Sequence, residues 1–201
     1  MTVVKFVVTR GSSPRYWGGA GFIVQFLQRT CLIMTNQHVI HKVKTIDVVL
    51  PPDGRELTGG RVQAEDKDAD LAIVRFDNVD GDFQPMVFAE FASLSSFVEP
   101  VYLLAYFNGI DCLPSRSPGR IDGMFVEKHV YFFHGSFASQ AGTSGGPVTK
   151  SGKVVAVNCG AGGGGGSRRA ISLLAVYNTL MRWCDLENGN YTIAEMLRRL
   201  V

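Results

Sequence analysis

Apolar residues in this chain come in short runs rather than at helical spacing. Val3 to Val8, Gly21 to Leu27, Cys31 to Thr35, Ile46 to Leu50, Leu71 to Phe76, Val101 to Phe107, Met124 to Phe133 and Lys153 to Asn158 are rich in Val, Ile, Phe and Tyr. These residue types suit a pleated, partly buried surface. Clusters of turn formers separate the runs: Pro51-Pro52-Asp53-Gly54, Thr58-Gly59-Gly60 and Pro114-Ser115-Arg116-Ser117-Pro118-Gly119. Many short strands with no helical pattern between them predict an all-β sandwich or barrel and exclude a chain of βαβ units.

Helical spacing appears only near the end. Thr192 and Glu195 have the spacing of a capping box, and apolar residues follow at 193, 196, 197, 200 and 201, which is one face of a helix. A second helix is predicted from about Leu174 to Trp183, with Asn188-Gly189-Asn190 as the break between the two. Both apolar faces read as packing against the β body. The run Gly162 to Gly166 reads as a native loop, because the segments on either side belong to one fold.

Composition narrows the classes. With 46% apolar residues in 201, the chain can bury a core as one large domain or two small ones. Lys and Arg total 20 against 18 for Asp and Glu, with no basic run beyond Arg168-Arg169 or Arg198-Arg199, so nothing points to nucleic acid as a partner. The first ten residues are interrupted by Lys5 and Arg10 and do not read as a secretory signal, which favours a cytoplasmic location. No window approaches a membrane span. Cys31, Cys112, Cys159 and Cys184 lack the close pairs of structural zinc sites and read as reduced, mostly buried thiols. No metal or cofactor is implied.

The candidate chemistry starts at Ala141-Gly142-Thr143-Ser144-Gly145-Gly146-Pro147-Val148, where a serine lies between glycines ahead of a strand. Glycines let the backbone turn tightly, so the amides of Gly142 and Ser144 can face one developing oxyanion. The pattern also matches the nucleophile elbow of α/β-hydrolases. That fold places its histidine after the serine, whereas all four histidines here (38, 41, 129 and 134) precede Ser144. The order Asp, His, Ser fails as well, because the first aspartate is Asp47. The order His, Asp, Ser remains.

His38 lies where the apolar run of residues 31 to 35 ends, a rigid place from which to hold an imidazole. Asp70 directly precedes Leu71-Ala72-Ile73-Val74, so its carboxylate can lie at the core's edge, accept the Nδ1 proton of a histidine and stabilise the imidazolium. Asp68 is the rival, one strand period away. His41, His129 and His134 read as surface or pocket-wall residues, and Trp17 and Trp183 as packing.

These segments resemble a family. Gly19-Ala20-Gly21-Phe22-Ile23-Val24, Met34-Thr35-Asn36-Gln37-His38-Val39-Ile40, Asp70-Leu71-Ala72-Ile73-Val74, Gly142-Thr143-Ser144-Gly145-Gly146-Pro147 and Val154-Val155-Ala156-Val157-Asn158 are similar, in order, to motifs of trypsin-like serine proteases, especially the Do-like (HtrA) and glutamyl-endopeptidase branches. The resemblance implies two six-stranded antiparallel β-barrels of the chymotrypsin type with a short helical C-terminal tail. Residues 1–88 would form the barrel carrying His38 and Asp70. Residues 89–201 would form the barrel carrying Ser144, with the tail from about 174.

The implied activity is a serine endopeptidase acting on polypeptide through His38, Asp70 and Ser144, with an oxyanion hole at Gly142, Thr143 and Ser144. By family position Ala138, Ser139 and Asn158 line the primary pocket, which holds no carboxylate, so a small or medium apolar residue is expected at the cleaved position. The strand ending near Asn158 would pair with the substrate backbone. Thr143 stands where trypsin-type zymogens have an aspartate, so trypsin-style activation is not expected. The competing readings are a protease fold kept only for binding peptides, and an esterase using the same machinery.

Overall fold

The computed structural model describes residues 2–91, 100–107, 113–161, 168–187 and 189–201. The glycine run at 162–166, Cys112 and Asn188 lie outside them. The first half of the chain holds β1 (Val3–Thr9), β2 (Tyr16–Leu27), β3 (Thr30–Thr35), α1 (Gln37–Ile40), β4 (Thr45–Leu50), β5 (Arg55–Leu57), β6 (Arg61–Asp66) and β7 (Leu71–Phe76). The second holds β8 (Val101–Ala105), β9 (Ser115–Gly119), β10 (Ile121–Glu127), β11 (Val130–Gly135), β12 (Pro147–Lys150), β13 (Lys153–Ala161), β14 (Arg168–Ser172), α2 (Leu173–Trp183) and α3 (Ile193–Arg199).

Two antiparallel sheets result, in the orders β5-β4-β1-β2-β3-β7-β6 and β10-β11-β14-β13-β12-β8-β9, each of seven segments. The segments at the two ends of each order are neighbours in sequence. Only Thr58-Gly59-Gly60 separates β5 from β6, and only Arg120 separates β9 from β10. Each such pair is one interrupted strand that joins the two ends of its sheet, so both sheets close into barrels. Counted that way, each barrel has the six strands that the family resemblance implies.

The central strands β3 and β7 are buried on both faces, which is why they read as continuous apolar runs and not as alternation. All six residues of β3 are buried. Cys31 and Ile33 join Val4, Phe6, Val8, Val48 and Val74 inside the first barrel. Leu32 and Met34, one residue out of phase, join a cluster that includes Leu103, Val148 and Val157 of the second sheet. The inner face fills a barrel and the outer face cements the two sheets together. The chain crosses between them at residues 86–89, where the amide of Met86 bonds Ile23 O at 2.8 Å and the amide of Ala89 bonds Val154 O at 2.9 Å.

Three local expectations change. The Pro114 to Gly119 cluster is not a turn, because Ser115–Gly119 forms β9 at the end of the sheet order, where a proline such as Pro118 is tolerated. The run from Met124 to Phe133 is two strands with a turn at Lys128 and His129, both in left-handed backbone at φ 49° and 67°. β2 starts at Tyr16, ahead of the expected run from Gly21, because its glycines serve close packing. Both helices form: Ser172 caps α2, accepting the amide of Ala175 at 3.2 Å, and Thr192 and Glu195 make the reciprocal capping box of α3.

Candidate active site

His38 lies on α1, a single helical turn, rather than at the end of the strand itself. Its neighbours fix it from both sides. Thr35, the last residue of β3, donates its hydroxyl to Ala20 O at 2.7 Å. Asn36 Nδ2 and the amide of Gln37 both donate to Asp70 O, at 3.0 and 3.2 Å. Arg10 Nη2 donates to the carbonyl of His38 at 2.8 Å.

Asp70 receives His38 twice. Its Oδ1 accepts the backbone amide of His38 at 3.0 Å, and its carboxylate meets Nδ1 at 2.8 Å from Oδ2 and 3.0 Å from Oδ1. A carboxylate offers only acceptors, so Nδ1 carries the proton and Nε2 is left as the basic nitrogen. Asp70 reaches this position from left-handed backbone at φ 53°. It leaves the strand period there, and Asp68 consequently points elsewhere, toward Lys128 Nζ at 3.7 Å.

Ser144 lies in a loop built around Thr143. The amide of Thr143 donates to Gln140 O at 3.1 Å, and its hydroxyl donates to the same carbonyl at 2.7 Å. Asn158 Nδ2 donates to Thr143 O at 2.9 Å, and Ser139 Oγ meets Thr143 Oγ1 at 3.1 Å. Thr143 thus spends its amide within the loop, while the amides of Gly142 and Ser144 on either side have no acceptor among the described residues. Gly142 adopts φ 88°, and a β-carbon on it would fall 2.3 Å from the ring of Trp17. Only glycine allows that conformation and that contact together.

The serine's own contacts tie the two sheets together. Ser144 O accepts the amide of Ala20 on β2 at 2.7 Å. Its hydroxyl donates to Cys159 O at 3.3 Å, and no hydrogen bond joins it to His38 among the described residues. The Cys159 thiol is pushed far up by burial, and further by the nearby Asp70 carboxylate, so it is a neutral neighbour.

Of the residues expected to line the primary pocket, Ala138 is exposed. Ser139 and Asn158 are buried, Asn158 completely, and their side chains hold Thr143 from inside. β13 instead offers its backbone. Its pairing with β12 ends at Val157 opposite Pro147, and the amides of Gly145 and Gly146 bond only as far as Asn158 and Thr143. Beyond Asn158, the strand pairs among the described residues with β14 alone, and its other edge faces Ser144. His41 bonds Gln37 at 3.0 Å, His129 lies in the β10–β11 turn, and His134 packs against the ring of Phe125 at 4.3 Å. Sequence reasoning missed the parts of Trp17 and Arg10, neither of which falls in a motif, and that of Asn36, which lies in the His38 motif without a role of its own there.

The comparisons with known proteins agree with this fold. A trypsin-like peptidase domain matches residues 19–157. No curated protein sequence matches the chain. Among solved structures, the HtrA-type protease AlgW with a tripeptide is similar over 90% of this chain and 58% of its own, at 21% identity and a TM-score of 0.71. The same protease with a decapeptide is similar over 90% of this chain and 62% of its own, at 19% identity and a TM-score of 0.69. The present chain therefore spans about three fifths of the length of these structures.

Proposed function

Because the chain belongs to the trypsin-like peptidase family, we propose that it is a serine endopeptidase in which Ser144 is the nucleophile, His38 the general base and Asp70 the residue that orients it. The observation that carries this reading is the double hold of Asp70 on His38, which grips the backbone amide and Nδ1 with one carboxylate. Such a grip fixes both the place and the tautomer of the imidazole.

The substrate is a polypeptide, added as a strand along the edge of β13 that faces Ser144 beyond Asn158. The peptides bound in the similar AlgW structures support this. Ser144 turns about its Cα–Cβ bond, gives up Cys159 O and attacks the peptide carbonyl, while Nε2 of His38 takes the hydroxyl proton. The amides of Gly142 and Ser144 receive the oxyanion, without Thr143, whose amide is already spent. Collapse of the tetrahedral intermediate breaks the C–N bond, and His38 returns its proton to the leaving amine. Water, deprotonated by the same imidazole, then releases the acyl group and restores Ser144. The cleft between an N-terminal domain of residues 1–88 and a C-terminal domain of 89–201 holds these groups, and exposed Ala138 favours a small or medium apolar residue at the cleaved position.

A second reading, a protease fold that binds peptides without cutting them, is favoured by the hydrogen bond from Ser144 to Cys159 instead of to His38. A fluorophosphonate probe, which reacts only with an activated serine, separates the two. Labelling at Ser144 that disappears in His38→Ala is expected. A wild-type protein that binds peptide but stays unlabelled would overturn the endopeptidase.

A further inference from the structure

One ion pair outside the His38, Asp70 and Ser144 set joins distant parts of the chain and ends on the turn that carries Asp70. Arg182, in the last turn of α2, donates from Nη2 to Asp66 Oδ2 at 2.6 Å and to Thr179 Oγ1 at 3.1 Å. Asp66 is the last residue of β6, and its other oxygen accepts the amide of Ala69 at 2.8 Å. Ala69 is fully buried, and the next residue is Asp70 at φ 53°. Partial burial works against ionising Asp66, yet the Ala69 amide, the Arg182 guanidinium and the Asp68 amide hold its carboxyl below the ordinary range.

We propose that Arg182 and Asp66 are a positioning pair, through which α2, packed on the second sheet, fixes the 66–70 turn of the first and so the aim of Asp70 at His38. The proposal rests on the reading of His38 and Asp70 as base and orienter. A non-glycine residue in left-handed backbone keeps that conformation only where its surroundings impose it. The Asp66 carboxylate imposes it from one side by holding the Ala69 amide, and Arg182 holds the carboxylate. Asn36 Nδ2 and the Gln37 amide hold the carbonyl of Asp70 from the His38 side, whereas the ion pair of Lys128 with Asp68 is 3.7 Å long with both side chains 68% exposed and contributes little.

The side chain of Arg182 is 58% exposed and that of Asp66 18%. The Arg182 end of the pair is open to solvent, so removing the guanidinium costs little global stability and separates positioning from folding. Arg182→Met, Arg182→Lys and Asp66→Asn are compared for kcat and KM on a peptide substrate, and for the low-field proton resonance of His38 Nδ1–H. Asp66→Asn keeps an oxygen for the Ala69 amide but loses the charge.

Arg182→Met and Asp66→Asn are expected to lower kcat about ten-fold, as a misaimed catalytic group does, with KM near wild type and the resonance broadened, and in Arg182→Met the thermal midpoint stays near wild type as well. Arg182→Lys is expected to recover most of both. Wild-type kcat and a sharp resonance in both charge-removing variants would overturn the proposal, as would a loss that lysine does not recover. If the wild-type protein hydrolyses no peptide, the endopeptidase reading fails separately. The resonance then decides: retained in both charge-removing variants it refutes the brace, and lost in both but recovered by lysine it upholds it.

Discussion

Gly160 lies so close to Ser144 that a β-carbon on it would fall 2.9 Å from the serine Oγ, nearer than side-chain carbons pack. The backbone there is at φ 95°, so a larger residue meets strain as well as a collision. In the proposed mechanism the hydroxyl uses this space to leave Cys159 O and turn toward His38. Gly160→Ala is therefore expected to lower kcat/KM for a peptide by about a hundred-fold and to cost about 1–2 kcal/mol of stability from the left-handed backbone. Peptide kinetics and an unfolding curve measure the two effects. Unchanged kcat/KM would mean that the hydroxyl needs no such freedom.

The order His38, Asp70, Ser144 could be read from the sequence because each of the three stands beside a run with strong local character: the apolar strand β3, the apolar strand β7 and a cluster of glycines. What stayed hidden lacks that contrast. β6 is mostly exposed, with no buried residue in its pattern, so neither period nor composition marks it, although it ends at Asp66. Lys128 and His129 turn the chain without Gly or Pro. Gly18 and Gly19 precede the apolar run at Gly21 but lie inside β2, where a β-carbon at 18 would fall 2.8 Å from Val8 and one at 19 would fall 2.9 Å from Ser144 O. The pocket assignment by family position could not show that Ser139 and Asn158 turn inward to Thr143, because that depends on which hydrogen bonds the loop satisfies internally.

Acid should weaken the fold through carboxylates that the native state holds ionised. Arg75, and then Arg61, keep the Asp77 carboxyl below its ordinary value, and Asp66 is lowered as described. A group with a native pKa below its unfolded one binds fewer protons when folded, so stability rises with pH between the two values. The contribution is complete above the unfolded carboxylate value and disappears as pH falls through the native one. Denaturant unfolding of wild type and Asp77→Asn, followed from neutrality down through the carboxylate range, should show a shallower loss in the variant. Parallel curves would show that Asp77 is not linked to folding.

Asp70→Asn should reverse the tautomer of His38 without disturbing the turn that carries it. Asparagine tolerates left-handed backbone, and its side-chain oxygen can still accept the His38 amide that Oδ1 accepts at 3.0 Å. The turn should therefore survive and the thermal midpoint should change little. The other side-chain atom becomes an NH2 group, a donor where Nδ1 now finds the second oxygen at 2.8 Å. Two donors cannot face each other, so Nδ1 must become the acceptor and the proton must move to Nε2. An imidazole protonated on Nε2 cannot take the proton of Ser144, and nothing stabilises the imidazolium. A loss of about four orders of magnitude in kcat is expected for a serine protease whose histidine is held in the wrong tautomer. Nitrogen chemical shifts of His38 should report the exchange of protonated positions. An Asp70→Asn protein that keeps wild-type turnover while its Nε2 is protonated would remove His38 from the role of base.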